Sequence, residues 1–514
     1  MPALSRRDIL KVSGALLGGA ALASLPLGRQ PRRAAADAPP SFIVLVLDSL
    51  SARNLSLLGY SRPTSPILER LADQCTVYHN HYAGGSFTTP GVSTLLTGLY
   101  PWTHRTFHLR GMLPEAFARQ NIFAFLGREY TRLAYTHNQL AYILLSQLEP
   151  DLDLLLNRNS FVLRQNTPMP EDAFTNDIPA SFLAFNDFMH ASESSVSPAS
   201  LSLGLADMLG FQRAQSRPAP GYPRGYPSNF QTYFKIEDLL SGLAGVSSDV
   251  SRQAAPFFAY FHLLPPHAPY NPYRKFIDPF LNDGLALPSK PEHPLAMLDK
   301  APDKLLRLRL FYDAFVANVD YEIGRFFAAL QAARVLEHTY LIITSDHGEL
   351  FERGEYGHVS PLLYDPLVHV PLIVRAPGQN ERRDVYLPTS NADLVPTILS
   401  LAGREIPPAL EGRLLPGLGG IEDTGRSVYT VYAMENSAFL PLNTSIVSMR
   451  KDRHRLMYYR GYPGYNDRME LYDLEQDPEE LRDLSTADAP LAKRMKEELL
   501  ESARAADAPY RRKS

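Results

Sequence analysis

Three apolar runs with almost no polar interruption punctuate the chain: Ser41 to Leu47, Pro256 to Leu264 and Tyr340 to Ser345. Without polar alternation, such runs predict strands buried on both faces of a parallel sheet. His369 to Val374 predicts a further strand, and Val77-Tyr78-His79 a short one. Between them the period changes to that of helices. Thr64-Ser65-Pro66 opens a helix through Ile67, Leu68 and Leu71, and Ala116 to Tyr130 and Gln139 to Leu148 read as helical. Asp303 to Leu336 carries Leu305, Leu308, Phe311, Tyr312, Phe315, Val319 and Ile323 at helical spacing, so it predicts one or two long core helices. Ala392 to Leu399 predicts another, ended by Gly403. Beyond about residue 420 come short alternating strands, Ser427 to Tyr432, Thr444 to Met449 and Arg455 to Tyr459, and a closing helix. The pattern is that of an α/β fold with a mostly parallel sheet and a smaller C-terminal α+β subdomain.

Polar residues gather where the buried strands end. Asp48, flanked by Ser49, follows the first; His267 follows the second between prolines; Asp346-His347-Gly348-Glu349 follows the third, with Gly357-His358 beyond. Open α/β sheets place their ligands at the carboxyl ends of strands. Gly348 permits the backbone turn that adjacent Asp346 and His347 need to converge on one ion. His262 lies inside its strand and reads as a core or pocket-wall residue. Phe87 to Gly98 predicts a loop entering a helix, with Thr89 as N-cap, Pro90 at the first helical position and Leu95 and Leu96 buried. Thr88 then stands just ahead of a helix N-terminus, a place that favours an anion. The basic group His104, Arg105, His108 and Arg110 reads as a solvated loop.

The 514 residues, 45% of them hydrophobic, suffice for a large core, and a net charge of −4 does not suggest a nucleic-acid partner. One cysteine, Cys75, excludes an intrachain disulfide and a thiolate metal cluster, and it reads as structural. Ser5-Arg6-Arg7-Asp8-Ile9-Leu10-Lys11 precedes the apolar run Val12 to Leu27 and the small residues Ala34-Ala35-Ala36-Asp37-Ala38. This looks like a twin-arginine export signal that is removed, because the run falls short of the ~20 residues of a spanning helix. The expected location is periplasmic or extracellular, with the twin-arginine export machinery as a partner and no transmembrane anchor. The expected organisation is a signal over 1–38, a catalytic domain over 39–419 with a variable insertion at about 150–250, and a C-terminal subdomain over 420–514. Ser- and Pro-rich stretches, Ser192 to Ser202 and Ser216 to Pro223, mark that insertion.

The strand-end residues fall in an order that resembles the sulfatase branch of the alkaline phosphatase superfamily. The resemblance covers most of the mature chain. It rests on Leu47-Asp48-Ser49-Leu50, Thr88-Thr89-Pro90 with Leu95 to Pro101, His267-Ala268-Pro269-Tyr270, and Tyr312-Asp313 to Gly324. Ser345 to Glu349, Val370 to Val374, Asp393 to Thr397, Leu410 to Arg413 and Glu470 to Leu474 complete it. It implies a three-layer αβα sandwich and an ester hydrolase or transferase. It also implies a site for one divalent ion, Mn²⁺, Zn²⁺, Mg²⁺ or Ca²⁺, on Asp48, Thr88, Asp346 and His347. Thr88 would be the nucleophile, with His267 and His358 placed to hold the leaving oxygen or another ester oxygen.

Departures from the family pattern shape the expected chemistry. Sulfatases oxidise the first residue of Cys/Ser-x-Pro-x-Arg to formylglycine; here that residue is Thr88, and the arginine is Val92. The usual carboxylate after the first Asp is Ser49, and the lysine expected ahead of Tyr364-Asp365 is Ser360. Threonine cannot become formylglycine, so its ester must be cleaved by a second nucleophile, which suits phosphoryl transfer. A single ion suits a monoanionic diester better than a dianionic monoester. The expectation is therefore phosphate or sulfate ester cleavage through a covalent Thr88 intermediate, with phosphodiesters favoured on a small-molecule, glycan or lipid-linked substrate. The alternatives are a sulfatase working without formylglycine and a binding protein that keeps the fold without turnover.

Overall fold

The computed structural model describes residues 39–165, 202, 219–228, 232–298 and 300–511. The export signal expected over 1–38 and much of the expected insertion lie outside the described residues. Eight strands form the central sheet: β1 (Ser41–Leu47), β2 (Thr76–Tyr78), β3 (Thr131–Thr136), β4 (Leu154–Leu155), β5 (Phe257–Leu263), β6 (Thr339–Thr344), β7 (Leu372–Arg375) and β8 (Arg383–Val385). Their order is β8-β2-β7-β6-β1-β5-β3-β4, and only β7 runs against the rest. β1 lies at the middle, in parallel register with β5 (Val46 opposite His262) and β6 (Val46 opposite Thr344).

Each face of the sheet carries its own core. Ile43, Leu45 and Leu47 of β1 join Phe261, Leu341 and Ile343 under α1 (Pro66–Ala72), α4 (Ile236–Ser251) and α5 (Pro302–Ala332). Phe42, Val44 and Val46 point the other way, with Phe258, Tyr260 and Ile342, under α2 (Thr88–Thr97), α3 (Gln139–Gln147) and α6 (Leu394–Leu401). The result is the expected three-layer αβα sandwich. Cys75 is buried in the first of these cores, where its Sγ donates to Leu71 O and burial pushes the thiol up to about 12.

A four-stranded antiparallel sheet follows: β9 (Ser427–Tyr432), β10 (Ser445–Lys451), β11 (His454–Arg460) and β12 (Arg468–Asp473), closed by α7 (Ala489–Arg511). One of its faces shares a core with Tyr82, Phe87 and Leu367 of the α/β part. No helix among the described residues is long and apolar enough to cross a membrane.

The structure corrects several expectations. Ala116 to Tyr130 is not one helix: it breaks at Asn121, whose side chain accepts from Ala124 N at 3.0 Å, and ends at Gly127 with φ 68°. β3 then enters the sheet beside β5. The sequence Thr-Arg-Leu-Ala-Tyr-Thr hides this strand because Arg132 looks exposed, whereas Asp153 pairs with it at 3.0 Å. The basic group is a solvated loop only in part: His108 is exposed, whereas His104 and Arg105 are buried. His104 is buried, with its Nε2 3.3 Å from Thr94 Oγ1, and Arg105 pairs with Asp507 of α7 at 2.9 Å and stacks on Tyr510. Desolvation lowers the His104 imidazole to about 3, so it is a neutral core residue.

Candidate metal and ester-cleavage site

Strand parity decides which side chains meet. Alternate residues of a strand face the same way. Val44-Val46 leads to Asp48, Phe258-Tyr260 to His262, and Ile342-Thr344 to Asp346, all toward the layer that contains α2. Past β1, Ser49 takes a left-handed φ of 63°, and its backbone N–H faces Asp346 Oδ1 at 3.4 Å. The turn is pinned by Tyr312, whose hydroxyl donates to Ser49 O at 2.7 Å and accepts from Ser51 N at 2.9 Å. Past β6, Ser345 Oγ lies 2.6 Å from both Leu47 O and His347 O and accepts from Leu50 N at 2.9 Å. These bonds knit the two strand-end loops together.

α2 brings Thr88 to this point. The helix starts two residues earlier than expected. Phe87 is the extended N-cap, Thr88 lies in the first turn, and the Thr89 hydroxyl bonds Leu109 O instead of capping. Pro90 remains in the first turn, where backbone N–H groups have no helical partner. Gly98 closes the helix at φ 70°, donating to Thr94 O at 2.9 Å. Gly91 is required by close approach: a Cβ there would overlap the backbone oxygen of Asp346.

Asp48, Thr88, Asp346 and His347 converge, each almost fully buried. His347 Nε2 lies 3.4 Å from Asp48 Oδ1, 3.6 Å from Asp346 Oδ2 and 3.5 Å from Thr88 Oγ1. Its Nδ1 donates to Gly348 O at 2.9 Å, which leaves the Nε2 lone pair aimed at this cluster. Burial, with His358 alongside, lowers its pKa to about 3, so that lone pair is kept at neutral pH. Donors about an ion with ~2.1 Å bonds stand roughly 3.4 Å apart in a tetrahedron, so this hard N/O set fits one divalent cation.

Two neighbours of this set escaped the sequence reading. His262 is not a bystander of the core: its Nε2 lies 3.2 Å from Asp346 Oδ2 and 3.8 Å from Asp48 Oδ2. Ligand atoms of Asp48, His262 and Asp346 all fall within 4.8 Å of one another. Thr136 Oγ1 accepts from Asn138 N at 3.0 Å and meets His262 Nδ1 at 3.1 Å. The Thr136 hydroxyl can donate to Nδ1, and in that tautomer Nε2–H donates to Asp346. Burial disfavours an imidazolium at His262, but the hydrogen bond and charge of Asp346 together with the charge of Asp48 outweigh it and the pKa is raised. Asn138, at the end of β3, donates to Asp48 Oδ2 at 2.6 Å, and Ser49 Oγ donates to Oδ1 at 3.0 Å.

His267 and His358 stand next to the cluster. The His358 ring centroid is 4.5 Å from that of His347 and 4.8 Å from that of His267. His358 Nδ1 donates to Glu349 Oε1 at 3.0 Å; burial opposes its charge, but the Glu349 carboxylate prevails and raises the pKa. His267 Nδ1 donates to Ala268 O, which leaves its Nε2 outside that bond. Val92, where the family carries arginine, is buried in the apolar core of this face.

Residues 40–404 match the model of the sulfatase family, and residues 354–505 match a model described as N-sulphoglucosamine sulphohydrolase, C-terminal. Arylsulfatase K of Mus musculus is 30% identical over 189 residues, 36% of this chain and 34% of that protein. The chain thus spans about a third of the length of the arylsulfatase K relatives it matches. Choline-sulfatase of Rhizobium meliloti (strain 1021) is 24% identical over 468 residues, 87% of this chain and 82% of its own. Among solved structures, the phosphonate monoester hydrolase of Agrobacterium radiobacter aligns with a TM-score of 0.66 at 21% identity, over 91% of this chain and 95% of its own. That of Silicibacter pomeroyi aligns with a TM-score of 0.63 at 22% identity, over 91% and 96%. These two share the fold. With the family model covering the whole α/β core and every residue of the Asp48–Thr88–Asp346–His347 cluster, the chain belongs to the sulfatase family.

Proposed function

We propose that the chain is an exported, metal-dependent ester hydrolase or transferase whose nucleophile is Thr88 Oγ1 and whose preferred substrates are phosphodiester-type. One observation carries this reading: Thr88 Oγ1 lies 3.5 Å from His347 Nε2, the same nitrogen that faces Asp48 and Asp346. Asp48, Asp346, His347 and Thr88 would hold one divalent ion. Bound there, it would lower the pKa of the threonine hydroxyl and polarise a non-bridging ester oxygen.

The remaining chemistry belongs to side chains. Thr88 Oγ1 forms a bond to phosphorus as the leaving oxygen departs. Water or an acceptor alcohol then attacks the same phosphorus and displaces Oγ1. His267 and His358 donate N–H to the leaving oxygen or to another ester oxygen, with Glu349 fixing the orientation of His358. Methyl groups of Val92 replace a guanidinium, which supports a monoanionic substrate over a dianionic one. The two phosphonate monoester hydrolases that share the fold are named for esters of that charge class. A sulfuric ester is the second reading, supported by the match to choline-sulfatase along 87% of this chain.

The test is turnover by the mature protein on aryl sulfates, phosphate monoesters, diesters and phosphonate monoesters. Monoanionic phosphorus esters should react fastest, and Thr88→Ala should lose roughly 10³-fold or more in kcat. Aryl sulfates reacting fastest would establish the second reading, and parent-rate turnover by Thr88→Ala would remove the threonine from the nucleophile's role.

A further inference from the structure

A cleft of about 370 Å³ opens between the α/β part and the C-terminal sheet, and none of Asp48, Thr88, Asp346 or His347 lines it. Arg450 of β10 forms part of its wall, although the residue is only 5% exposed. β10 is an inner strand, and Arg450 sits directly across from Arg455 of β11. Like charges placed opposite one another repel. Arg455 is matched by Glu480 at 3.0 Å and by Asp365. Arg450 has no such match: among the described residues no carboxylate pairs with it, and its Nε and Nη1 are buried without a hydrogen-bond partner. Burying an unpaired charge is expensive, and a guanidinium cannot shed its proton to escape the cost.

The rest of the cleft describes what would lie over that guanidinium. Tyr386, 65% exposed, forms a wall with Leu387 and Pro388, and its ring is braced by stacking on His79 at 4.3 Å. Asp452 and Glu475 stand exposed on the rim, where they can accept hydrogen bonds from hydroxyl groups. The volume lies in the range of small-molecule sites and exceeds the need of a bare ion. A guanidinium fork matches carboxylate, sulfate and phosphate oxygens in pairs.

We propose that this cleft is a second ligand site, separate from the ester-cleavage centre, for a small polyhydroxylated oxyanion of the sugar-acid or sugar-sulfate class. The charged group sits on Arg450, the ring face on Tyr386, and the hydroxyls reach the rim carboxylates. Occupancy relieves the uncompensated charge on β10 and ties the C-terminal sheet to the α/β part.

Thermal unfolding and calorimetric titration of the full chain with glucuronate, glucose 6-sulfate, glucose and inorganic sulfate test this. Glucuronate or glucose 6-sulfate should bind and raise Tm, glucose should not, and Arg450→Met should weaken that binding at least tenfold while leaving ester turnover unchanged. Without ligand, Arg450→Met should melt at or above the parent temperature, because it removes a buried charge that nothing pairs. Tyr386→Ala, on the exposed rim, should weaken the sugar anions severalfold and leave inorganic sulfate unaffected. Equal binding by the parent and Arg450→Met would place the anion elsewhere and overturn the proposal, as would no binding to the parent. Inorganic sulfate binding through Arg450 as tightly as the sugar anions would overturn the ligand class. None of these outcomes depends on which ester Thr88 cleaves.

Discussion

His262 Nε2 lies 3.2 Å from Asp346 Oδ2, and Thr136 fixes the opposite edge of the ring at 3.1 Å. The imidazole thus holds one oxygen of Asp346 by an N–H while His347 faces the same carboxylate with a lone pair. In the proposed metal site the two histidines would share the carboxylate pair in different roles, His262 positioning Asp346 and His347 ligating the ion. Outer partners of metal ligands typically change affinity by 10–100-fold when removed. His262→Ala is expected to weaken Mn²⁺ or Zn²⁺ binding by about that factor, measured by calorimetry on the purified protein, with a smaller loss for Thr136→Val. Abolished binding would make His262 a ligand.

Gly91 is where α2 touches the Asp346 loop, and a Cβ there has nowhere to go but into a backbone oxygen. Backbone yields less readily than a flexible side chain, so the helix itself must shift and carry Thr88 with it. Gly91→Ala should destabilise by about 1–3 kcal/mol, the usual range for overpacking. Turnover should fall further than the folded fraction does. Urea unfolding beside initial rates separates the two effects, and an unchanged kcat would show that Thr88 tolerates movement of α2.

How much of this site the sequence discloses depends on what each residue's neighbours look like. Asp48 and Asp346 end unbroken apolar runs, so their position is legible from one strand alone. His262 is not, since it sits inside a run and only the parallel register with Val46 and Thr344 aligns it with the two carboxylates. Parity, Phe258-Tyr260-His262 against Val44-Val46-Asp48, is the signal that would have found it. Asn138 is hidden further, because β3 carries a polar Arg132 whose partner Asp153 comes from a later turn. β12 is masked in the same way by Glu470, a charged residue whose burial depends on hydroxyls contributed from elsewhere.

Glu470 itself gives a pH prediction. Burial works against its charge, but His293 at 3.1 Å and the hydroxyls of Tyr364 and Tyr465 (2.8 Å each) hold the carboxyl down at about 2. A carboxyl depressed in the fold stabilises it above its unfolded value of 4.5, and that contribution is lost as pH falls through about 2. A shift of this size corresponds to roughly 3 kcal/mol at most. The parent should therefore lose stability between pH 4.5 and 2. Glu470→Gln should be less stable by about 2–3 kcal/mol at pH 7 and show a flatter acid limb in urea titrations. Parallel limbs for the two proteins would show that the cluster is not proton-linked.

Ion removal supplies the last prediction, and its sign follows from the charges. Asp48 and Asp346 are both fully buried, and their carboxylates share one small space with a His347 that burial keeps neutral. Hydrogen bonds from His262, Asn138, Ser49, Ser345 and the His347 backbone N–H soften their repulsion. A divalent cation that binds the folded chain and not the unfolded one stabilises by about 2.7 kcal/mol at a hundredfold excess over Kd. Chelation should lower Tm, and titrating Mn²⁺ or Zn²⁺ should restore it in a concentration-dependent way. Asp346→Asn isolates the cause. It removes one of the two buried negative charges and with it their mutual repulsion, so the metal-free variant should melt at or above the metal-free parent while gaining little from added ion. A variant that melts lower than the metal-free parent and still responds fully to Mn²⁺ would show that Asp346 is a structural acceptor for His262, with the ion held by other groups.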